Sequence, residues 1–514
     1  MPRELTREDI KLIIKQFGET ALRAKKSGFD GVELHGGNGY LIAGFMSPYQ
    51  NHRTDEYGGC FMNRMRLVTE IYKEVRAQVG DEFPITIRFS ADEGVTGGRT
   101  LAESRVMARY FEGLGFDGIN CSNGTYGTYN LAQSATQYQS FGVTLENARA
   151  LKEVVNIPVL AVNRLRDPMM ADTYLDLGWC DLVGMSRTSL ADPHFPNKAK
   201  ALDFESIRPC LGCKRCENEI FVGNQCHCAV NPMLGKEYLY DFSEQSKPEP
   251  KRVLVIGGGP AGVNAALAAS KRGHSVMLYD KGKALGGTFI SASYPPGKGE
   301  LAHYVNWLNH EIAKSNVELH LNTEVTAQMV KELNADKVIL ATGGKPFMPS
   351  FIKGIDNAKV VTAEDVLLGK VSLSGETVVA GGGEVGLETA CYLAYAETGK
   401  VTVVEMRPEI AMDMNGILRA GAMQIAHDRN IELLPKTKIL EFNDTGVVVE
   451  FEDESVKTIK ADNIVMAMGY KPNNALAEEL SFLGDRLVVI GDAKDRCSDV
   501  MNANIDGLEA GYNI

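Results

Sequence analysis

The sequence predicts an α/β protein that joins part of a TIM (β/α)8 barrel to Rossmann-type dinucleotide-binding domains. Three observations carry this prediction. Five apolar strand-like runs alternate with helical patterns before residue 205, two glycine fingerprints follow apolar strands after residue 249, and five of the ten cysteines crowd residues 210–228 between them. The 514 residues are enough for roughly three or four domains with large cores.

Composition and charge narrow the possible partners. The formal net charge is −12 and the pI is near 5.4, which argues against nucleic acids and anionic membranes. No apolar run is long enough to cross a bilayer, and the first residues lack the apolar core of a secretory signal. Composition and charge are compatible with either a monomer or a homo-oligomer. The cysteines outside the crowded stretch stand singly, which fits reduced thiols in a cytoplasmic protein: Cys60, Cys121, Cys180, Cys391 and Cys497.

Residues 1–205 alternate helices and strands as a (β/α)8 barrel does. The first helix starts after Thr6, which can cap it, and carries apolar residues at helical spacing from Ile10 to Leu22. The predicted strands that follow are GVELHG, ITIRFS, DGINCS, PVLAV and DLVGMS. Eight βα units close such a barrel, so the expectation is a barrel that lacks its first three units. An open five-stranded α/β sheet is the alternative.

Polar side chains follow each of these strands, at the end where barrel enzymes place their chemistry. His35, Asn38 and Tyr40 offer hydrogen-bond donors and a phenol, a set that can polarise a carbonyl and deliver a proton. Arg88 can face an anionic ring or a carboxylate. The pairs that follow the last two strands, the usual place for a phosphate, are Asn163 with Arg164 and Ser186 with Arg187. A polar loop that only satisfies backbone groups is the alternative for all of them.

The linker, residues 206–248, contains Cys210-Leu-Gly-Cys213-Lys-Arg-Cys216 and then Cys226-His-Cys228. Short CxxC loops let neighbouring thiolates converge on a soft metal. The spacing C-x2-C-x2-C-x11-C, which ends at Cys228, suits a [4Fe–4S] cluster, with Cys226 either spare or the fourth ligand in its place. A structural zinc site is the main competitor, and a disulfide knot is a weaker one.

The first glycine fingerprint opens a βαβ unit in KRVLVIGGGPAGVNAALAASKRGHSVMLYDK. Gly257, Gly259 and Gly262 form G-x-G-x-x-G between a buried strand and a helix of small residues. These glycines allow a tight turn, a close approach of the backbone to a pyrophosphate, and close packing of helix on strand. Asp280 ends the second strand and is placed to accept a hydrogen bond from a ribose hydroxyl.

The second fingerprint lies in ETVVAGGGEVGLETACYLAYAETGKVTVVEM, where Gly381, Gly383 and Gly386 repeat the motif. Glu405 ends the second strand of this unit. An acid at this position accepts from the ribose 2′-hydroxyl and repels a 2′-phosphate, which favours NADH over NADPH. Arg407 lies two residues further on and can soften that preference.

The run ELHGGNGYLIAGFMSPYQNHRTDEYGGCFMNR resembles the Old Yellow Enzyme family of FMN-dependent ene-reductases. The whole chain is similar to the multidomain branch of that family, which includes 2,4-dienoyl-CoA reductase, 2-enoate reductase and trimethylamine dehydrogenase. The resemblance implies that His35 and Asn38 bind the activating carbonyl of the substrate and that Tyr40 donates a proton. It also implies flavin contact by Arg88 and contacts to the FMN phosphate by Asn163, Arg164, Ser186 and Arg187. The family usually has glycine where Asn163 and Ser186 stand.

The same resemblance extends to the second half. It implies a [4Fe–4S] cluster bound by Cys210, Cys213, Cys216 and Cys228, whereas Cys226 matches no ligand. Residues 249–370 and 465–514 resemble the FAD domain of disulfide reductases, in which Gly286-Gly287 and Asp492 contribute to the FAD site. Residues 371–464 then form an inserted NAD(H) domain.

The function implied by the resemblance is NADH-dependent reduction of the C=C bond of an α,β-unsaturated carbonyl compound, such as an enoate, an enoyl-CoA or an enone. Electrons are expected to pass from NADH to FAD, then through the [4Fe–4S] cluster to FMN. One alternative is amine oxidation of the trimethylamine dehydrogenase kind, with Tyr126 and Tyr129 around a cationic substrate. Another is an electron carrier that passes electrons from NADH to dyes without reducing an alkene.

Overall fold

The computed structural model of the chain describes residues 3–128 and 135–514. It divides into two compact units, unit 1 (Met1–Ser186) and unit 2 (Arg187–Ile514). The division falls before the end of the predicted barrel segment at residue 205. Tyr129, one of the aromatic residues considered for a cationic substrate, lies outside the described residues.

Unit 1 is built on a five-stranded parallel sheet whose strands lie side by side in chain order. The strands are β1 (Val32–Gly36), β2 (Ile85–Ser90), β3 (Gly118–Ser122), β4 (Val159–Ala161) and β5 (Leu182–Val183). The helices are α1 (Arg7–Lys26), α2 (Leu41–Met46), α3 (Phe61–Arg64), α4 (Arg66–Val79), α5 (Leu101–Leu114), α6 (Leu145–Lys152) and α7 (Pro168–Asp176). Parallel strands that alternate with helices in chain order confirm the predicted α/β class for this half, and this is the arrangement of successive units of a (β/α)8 barrel.

Alternation along the strands decides which side chains reach the candidate site. In β2, Ile85, Ile87 and Phe89 are buried in the core, whereas Arg88 between them is only half-buried. The register places His35 of β1 opposite Arg88, and Arg88 opposite Asn120 of β3. One face of the sheet is therefore apolar and packed on the helices, and the other face carries the polar side chains.

The first helix begins where the sequence predicts. The Thr6 hydroxyl accepts the backbone N–H of Asp9 at 3.1 Å, and the Asp9 carboxylate accepts the backbone N–H of Thr6 at 2.9 Å. This reciprocal capping box satisfies two N–H groups that a helix start otherwise leaves unpaired.

Unit 2 contains two parallel sheets, a three-stranded antiparallel sheet and a two-stranded ribbon. Its strands are β6 (Arg252–Ile256), β7 (Ser275–Tyr279), β8 (Glu318–His320), β9 (Lys337–Leu340), β10 (Gly344–Pro346), β11 (Val360–Thr362), β12 (Thr377–Ala380), β13 (Val401–Val404), β14 (Glu432–Leu434), β15 (Lys438–Asn443), β16 (Gly446–Glu450), β17 (Val456–Lys460), β18 (Asn463–Met466), β19 (Tyr470–Pro472) and β20 (Leu487–Val489). Its helices are α8 (Arg187–Ala191), α9 (Phe195–Lys200), α10 (Arg215–Phe221), α11 (Pro260–Lys271), α12 (Glu300–Lys314), α13 (Ala327–Leu333), α14 (Ala363–Leu367), α15 (Glu384–Tyr395), α16 (Gly416–Asp428), α17 (Ala475–Glu479) and α18 (Val500–Tyr512).

The two parallel sheets are nested along the chain. The first has the order β20-β9-β6-β7-β8, and the second has the order β11-β18-β12-β13-β14. Because β20 returns to the first sheet after the second is complete, the second domain is an insertion in the first, as the sequence predicts for Rossmann-type domains. The second sheet takes in β11, so it begins before the predicted start of the insertion at residue 371. Within residues 3–128 and 135–514, no helix is both long and apolar enough to span a membrane.

Candidate flavin, cluster and nucleotide sites

The loop after β1 is bound to the ends of β2 and β3 through Asn38. This residue is buried and has a left-handed backbone, with φ of 61°. Its backbone N–H donates to the Ser90 hydroxyl at 2.9 Å, and its side-chain amide donates to the Ser122 hydroxyl at 3.2 Å and the Asn123 carbonyl at 2.9 Å. The Asn38 amide is therefore directed toward the end of β3.

His35 and Tyr40, in contrast, stand next to each other and are exposed. Their ring centroids are 4.9 Å apart. Partial burial and the nearby Arg88 cation lower the pKa of His35, against the opposing influence of Glu33. A neutral imidazole beside a phenol can donate a hydrogen bond to a carbonyl oxygen, while the phenol supplies a proton nearby.

A second phenol joins this pair. The Tyr126 ring lies edge-on to the Tyr40 ring, with centroids 5.4 Å apart. A side-chain hydrogen bond with Tyr40 raises the pKa of Tyr126. The sequence singled out Tyr126 as an aromatic wall, but its pairing with Tyr40 depends on bringing the loops after β1 and β3 together.

The polar face of the sheet carries Glu33, a charged residue that the sequence analysis did not identify. The Arg88 guanidinium lies 2.7 Å from the Glu33 carboxylate, which also accepts from the Asn120 amide at 2.9 Å. The Nε of Arg88 and the Oδ1 of Asn120 are buried and have no hydrogen-bond partner among the described residues. Unsatisfied buried polar atoms beside His35 fit a polar heterocycle such as a flavin ring. The signal in the sequence was the acid at the second position of the strand VELHG.

Asn163 and Arg164 both have left-handed backbones, with φ of 81° and 59°. Asparagine tolerates this region better than most residues, which explains how it can stand where the resembling family has glycine. The Arg164 guanidinium donates to the Thr136 carbonyl at 2.6 Å and stacks on Phe141 at 4.6 Å. The Asn163 side chain accepts the N–H of Ala135 at 3.3 Å, so both side chains hold the segment 135–141.

A buried ion pair supports the loop after β2. Arg99 and Glu93 are almost fully buried, and the Arg99 Nε donates to the carbonyl of Ser90 at 3.0 Å. The Glu93 carboxylate accepts from the Ser47 hydroxyl at 2.7 Å and from the Arg99 backbone N–H at 2.9 Å. This network fixes Ser90, whose hydroxyl in turn accepts from Asn38.

Four of the five crowded cysteines line one cavity in unit 2. The full lining is Arg187, Leu190, Cys210, Leu211, Cys213, Lys214, Cys216, Cys228, Ala229 and Val230. Cys226 is not part of the lining, and its Sγ lies 4.0 Å from the Cys216 carbonyl. The structure thus brings together the predicted quartet and leaves the fifth thiol beside it.

Burial raises the pKa of the Cys213 and Cys216 thiols to about 12 and that of the Cys228 thiol to about 11. Thiols with these values ligate only when a cation compensates their charge, which is what iron supplies in a cluster. No three His, Cys, Asp or Glu side chains in residues 3–128 and 135–514 are placed to hold a metal ion together. The four cysteines instead line one cavity, and four cysteine ligands are the set that binds a [4Fe–4S] cluster.

Ser186 and Arg187, the second pair of residues predicted to bind the FMN phosphate, belong to different units. Ser186 is exposed and ends unit 1, whereas Arg187 begins unit 2. Arg187 lines the cysteine cavity, and its Nε lies 3.7 Å from the Glu217 carboxylate. The structure therefore places Arg187 with the cysteines, a neighbourhood that the sequence did not predict.

The first fingerprint has the geometry of a dinucleotide site. A Cβ added at Gly262 would collide with the carbonyl of Gly257, so helix α11 packs against the turn as the motif requires. A Cβ added at Gly259 would meet nothing within 4 Å, and Gly287 lies beside it. Asp280 accepts the N–H of Gly258 at 2.6 Å. Asp492 accepts the N–H of Ser498 at 2.8 Å, and burial raises its pKa.

The second fingerprint repeats this geometry with one addition. A Cβ at Gly386 would collide with the carbonyl of Gly381, and the Glu405 carboxylate accepts the N–H of Gly382 at 2.8 Å. Gly383, however, faces a carboxylate: Asp413 accepts the N–H of Glu384 at 3.0 Å, at the start of α15. An internal anion thus sits where a pyrophosphate is expected.

Comparison with known proteins decides the family. Residues 1–202 match the NADH:flavin oxidoreductase / NADH oxidase family, and residues 251–492 match the pyridine nucleotide-disulphide oxidoreductases. The chain is 40% identical over 520 residues to NADH oxidase from Thermoanaerobacter brockii, a match that covers 100% of this chain and 78% of that protein. The chain belongs to the NADH:flavin oxidoreductase / NADH oxidase family.

Two further members of this group bear on the chemistry. Cinnamate reductase from Clostridium sporogenes is 34% identical over 539 residues, which cover 100% of this chain and 78% of that protein. The solved structure of 2-naphthoyl-CoA reductase with 2-naphthoyl-CoA is 32% identical, with a TM-score of 0.96 over 100% of this chain and 77% of that one. Dimethylamine and histamine dehydrogenases are also similar, at 27% and 25% identity.

The chain is therefore an enzyme, an NADH-dependent flavin oxidoreductase. The family and the geometry of the sites together support FMN, FAD, a [4Fe–4S] cluster and NADH as its cofactors. The predicted membership in the multidomain branch of the Old Yellow Enzyme family is confirmed.

Proposed function

We propose that the enzyme reduces the C=C bond of an α,β-unsaturated carbonyl compound, an enoate, enoyl-CoA or enone, at the expense of NADH. The observation that carries this proposal is the exposed pair of His35 and Tyr40, with rings 4.9 Å apart at the carboxyl end of β1. An imidazole whose pKa lies below its usual value and a neighbouring phenol are suited to a carbonyl substrate. The relatives named for cinnamate and 2-naphthoyl-CoA reduction support the same class.

The two side chains have different roles. His35 donates to the carbonyl oxygen and stabilises the negative charge that develops there. Tyr40 delivers a proton to the α-carbon, and the Tyr126 ring packs edge-on against the Tyr40 ring, with centroids 5.4 Å apart. Asn38 binds the same oxygen when its amide exchanges the Ser122 hydroxyl, 3.2 Å away, for the substrate.

The cofactor assignments follow the motifs of the sequence and the resemblance to the family. Flavin contact is assigned to Arg88, and the FMN phosphate to Asn163, Arg164 and Ser186. Arg187, which the resemblance also implied for the phosphate, lines the cysteine cavity instead. FAD is assigned to Gly257, Gly259, Gly262, Asp280, Gly287 and Asp492, and NADH to Gly381, Gly383, Gly386 and Glu405. The [4Fe–4S] ligands are Cys210, Cys213, Cys216 and Cys228. When bound, these groups supply the hydride and single-electron transfers that link NADH to the alkene.

The choice of NADH rests on Glu405. Its carboxylate is held by the N–H groups of Gly382 at 2.8 Å and Arg407 at 2.7 Å, at the end of β13. A carboxylate fixed in this position accepts from a ribose 2′-hydroxyl and repels a 2′-phosphate. The Arg407 contribution to this carboxylate is a backbone N–H, so NADH is the expected donor.

The decisive experiment compares Tyr40→Phe with Tyr49→Phe in the purified enzyme with its flavins bound. Both tyrosines are exposed, but only Tyr40 contacts His35. We expect Tyr40→Phe to slow reduction of cinnamate or an enoyl-CoA by roughly 10²-fold, the usual contribution of a positioned acid. NADH-driven dye reduction should stay unchanged in both variants. Equal alkene reduction by Tyr40→Phe and wild type would sink the assigned role.

The cluster assignment has its own matched pair, Cys213→Ser and Cys226→Ser. Cys213 lines the cavity, whereas Cys226 does not. Iron and acid-labile sulfide should fall sharply in Cys213→Ser and match wild type in Cys226→Ser. Loss of iron from Cys226→Ser as well as from Cys213→Ser would show that the fourth ligand has been misassigned.

The amine dehydrogenases among the similar proteins provide the alternative. An amine-oxidising enzyme would bind a cation against aromatic rings, and Tyr40 with Tyr126 presents two exposed ones. Turnover of dimethylamine without turnover of any enone or enoyl-CoA would favour it. Dye reduction by NADH without either activity would leave only the electron-carrier function.

A further inference from the structure

The cavity lined by the cysteines also carries charged side chains. Lys214, which follows Cys213 directly, is only 1% exposed and lines the cavity. Its Nζ lies 2.9 and 3.1 Å from the two oxygens of the Glu217 carboxylate. Arg187, on the same lining, approaches that carboxylate at 3.7 Å. One acid therefore bridges two cations beside the thiols.

Lys214 stands where both backbone and solvation disfavour a lysine. Its φ is 59°, a left-handed conformation that is unfavourable for a residue with a Cβ and that glycine or asparagine adopts more easily. Burying an ammonium group is also unfavourable unless its charge is compensated. Glu217 offsets part of this cost, but its own side chain is 21% exposed whereas that of Lys214 is fully buried. The position is better explained by a need for positive charge at the cavity than by packing.

A cluster held by four thiolates is an anion, and its reduction adds a further negative charge. Nearby cations stabilise the reduced form more than the oxidised form, so they raise the reduction potential. Lys214 and Arg187 bring two positive charges to the cavity, and Glu217 cancels one of them. We propose that Lys214 and Arg187, opposed by Glu217, set the reduction potential of the cluster that the four cysteines hold. This inference rests on the cluster assigned under the proposed function.

The test is an anaerobic redox titration, followed by electron paramagnetic resonance, of the full enzyme and four variants. Lys214→Asn removes the charge but keeps a residue that tolerates the left-handed backbone, and Lys214→Arg keeps the charge. At a fixed potential, we expect the reduced fraction relative to the oxidised one to fall about tenfold in Lys214→Asn, which is 59 mV for one electron. It should change little in Lys214→Arg. Arg187→Gln should shift the ratio in the same direction as Lys214→Asn, and Glu217→Gln in the opposite direction.

Iron and sulfide are measured first, so that the two proposals fail separately. A wild-type enzyme without a four-iron cluster would overturn both. This inference alone would be overturned if Lys214→Asn, Arg187→Gln and Glu217→Gln all hold a normal cluster and their ratio of reduced to oxidised cluster, at a fixed potential, stays within twofold of wild type. If Lys214→Asn does not assemble its cluster, the opposite shifts expected for Arg187→Gln and Glu217→Gln decide the matter. A cluster that shifts as expected in an enzyme unable to reduce alkenes would overturn only the proposed substrate class.

Discussion

Single residues show how a local backbone requirement and a distant contact act together. Asn38 and Asn163 both adopt left-handed conformations, with φ of 61° and 81°. Each then uses its side chain to hold another segment, Asn38 at the end of β3 and Asn163 at Ala135. The sequence identifies both as polar residues after strands, but the direction of each amide is decided by the loop it meets.

The third glycine of each fingerprint provides a prediction at this scale. An added Cβ at Gly262 or Gly386 would collide with a backbone oxygen, which cannot move as a side chain can. Gly262→Ala should therefore release FAD, whereas Gly386→Ala should keep FAD and weaken NAD⁺ binding. Flavin content and calorimetric titration with NAD⁺ measure the two losses.

Gly416→Ala is the control for these variants. Gly416 begins α16, and a Cβ there would meet nothing within 4 Å. Since alanine favours a helix over glycine by about 1 kcal/mol, this variant should keep both cofactors. Equal cofactor binding in all three variants would contradict the packing argument.

At the scale of elements, the two dinucleotide units differ at the start of their helices. Helix α11 begins with Pro260, and the space beside Gly259 is open. Helix α15 begins instead with an N–H that donates to Asp413. A helix start attracts anions because its N–H groups are unpaired and its dipole is positive there. In the second unit, we expect Asp413 to compete with a bound pyrophosphate for this position.

Asp413→Asn should therefore bind NAD⁺ more tightly than wild type. Removing one negative charge from a helix start changes the interaction by roughly 1 kcal/mol, about fivefold in affinity. Calorimetric titration with NAD⁺, which cannot reduce the flavins, measures the change. Asp428→Asn, at the exposed end of α16, is the matched control and should bind as wild type does. Weaker binding by Asp413→Asn would show that this carboxylate supports the nucleotide instead.

At the scale of the whole molecule, each unit has an apolar core of its own. The unit 1 core includes Ile87 and Phe89 of the sheet, and the largest core of unit 2 includes Val255 and Trp307. Independent cores predict independent unfolding. The two tryptophans of the chain lie one in each unit, Trp179 in unit 1 and Trp307 in unit 2.

We therefore expect two thermal transitions in the flavin-free protein. Trp307→Phe leaves the fluorescence of unit 1, and Trp179→Phe leaves that of unit 2. FMN should stabilise the transition of unit 1 and FAD that of unit 2, by about 2.7 kcal/mol at a concentration of 100 times Kd. A single transition in both variants, shifted equally by either flavin, would contradict separate folding units.

Much of the fold and part of the site could be predicted, because they depend on residues that lie close together in the sequence. The strands of unit 1, the capping box at Thr6 and the two glycine fingerprints each depend on residues within one turn or one βαβ unit. The spacing of the cysteines suggested a cluster, and the family resemblance chose Cys228 over Cys226 as the fourth ligand. The sequence did not indicate β11 (Val360–Thr362), because it is a short strand whose partner β18 follows about a hundred residues later.

The sequence by itself determined the α/β class, the two dinucleotide fingerprints and the polar residues that follow the strands, because these depend on local periodicity and turn chemistry. Only the tertiary structure decided that Glu33 and Asn120 surround Arg88, that Asp413 occupies a helix start, and that Arg187 lies with the cysteines rather than apart from them. These residues are far apart along the chain or belong to different elements. Their neighbourhood is set by the packing of strands and loops, which no spacing in the sequence records.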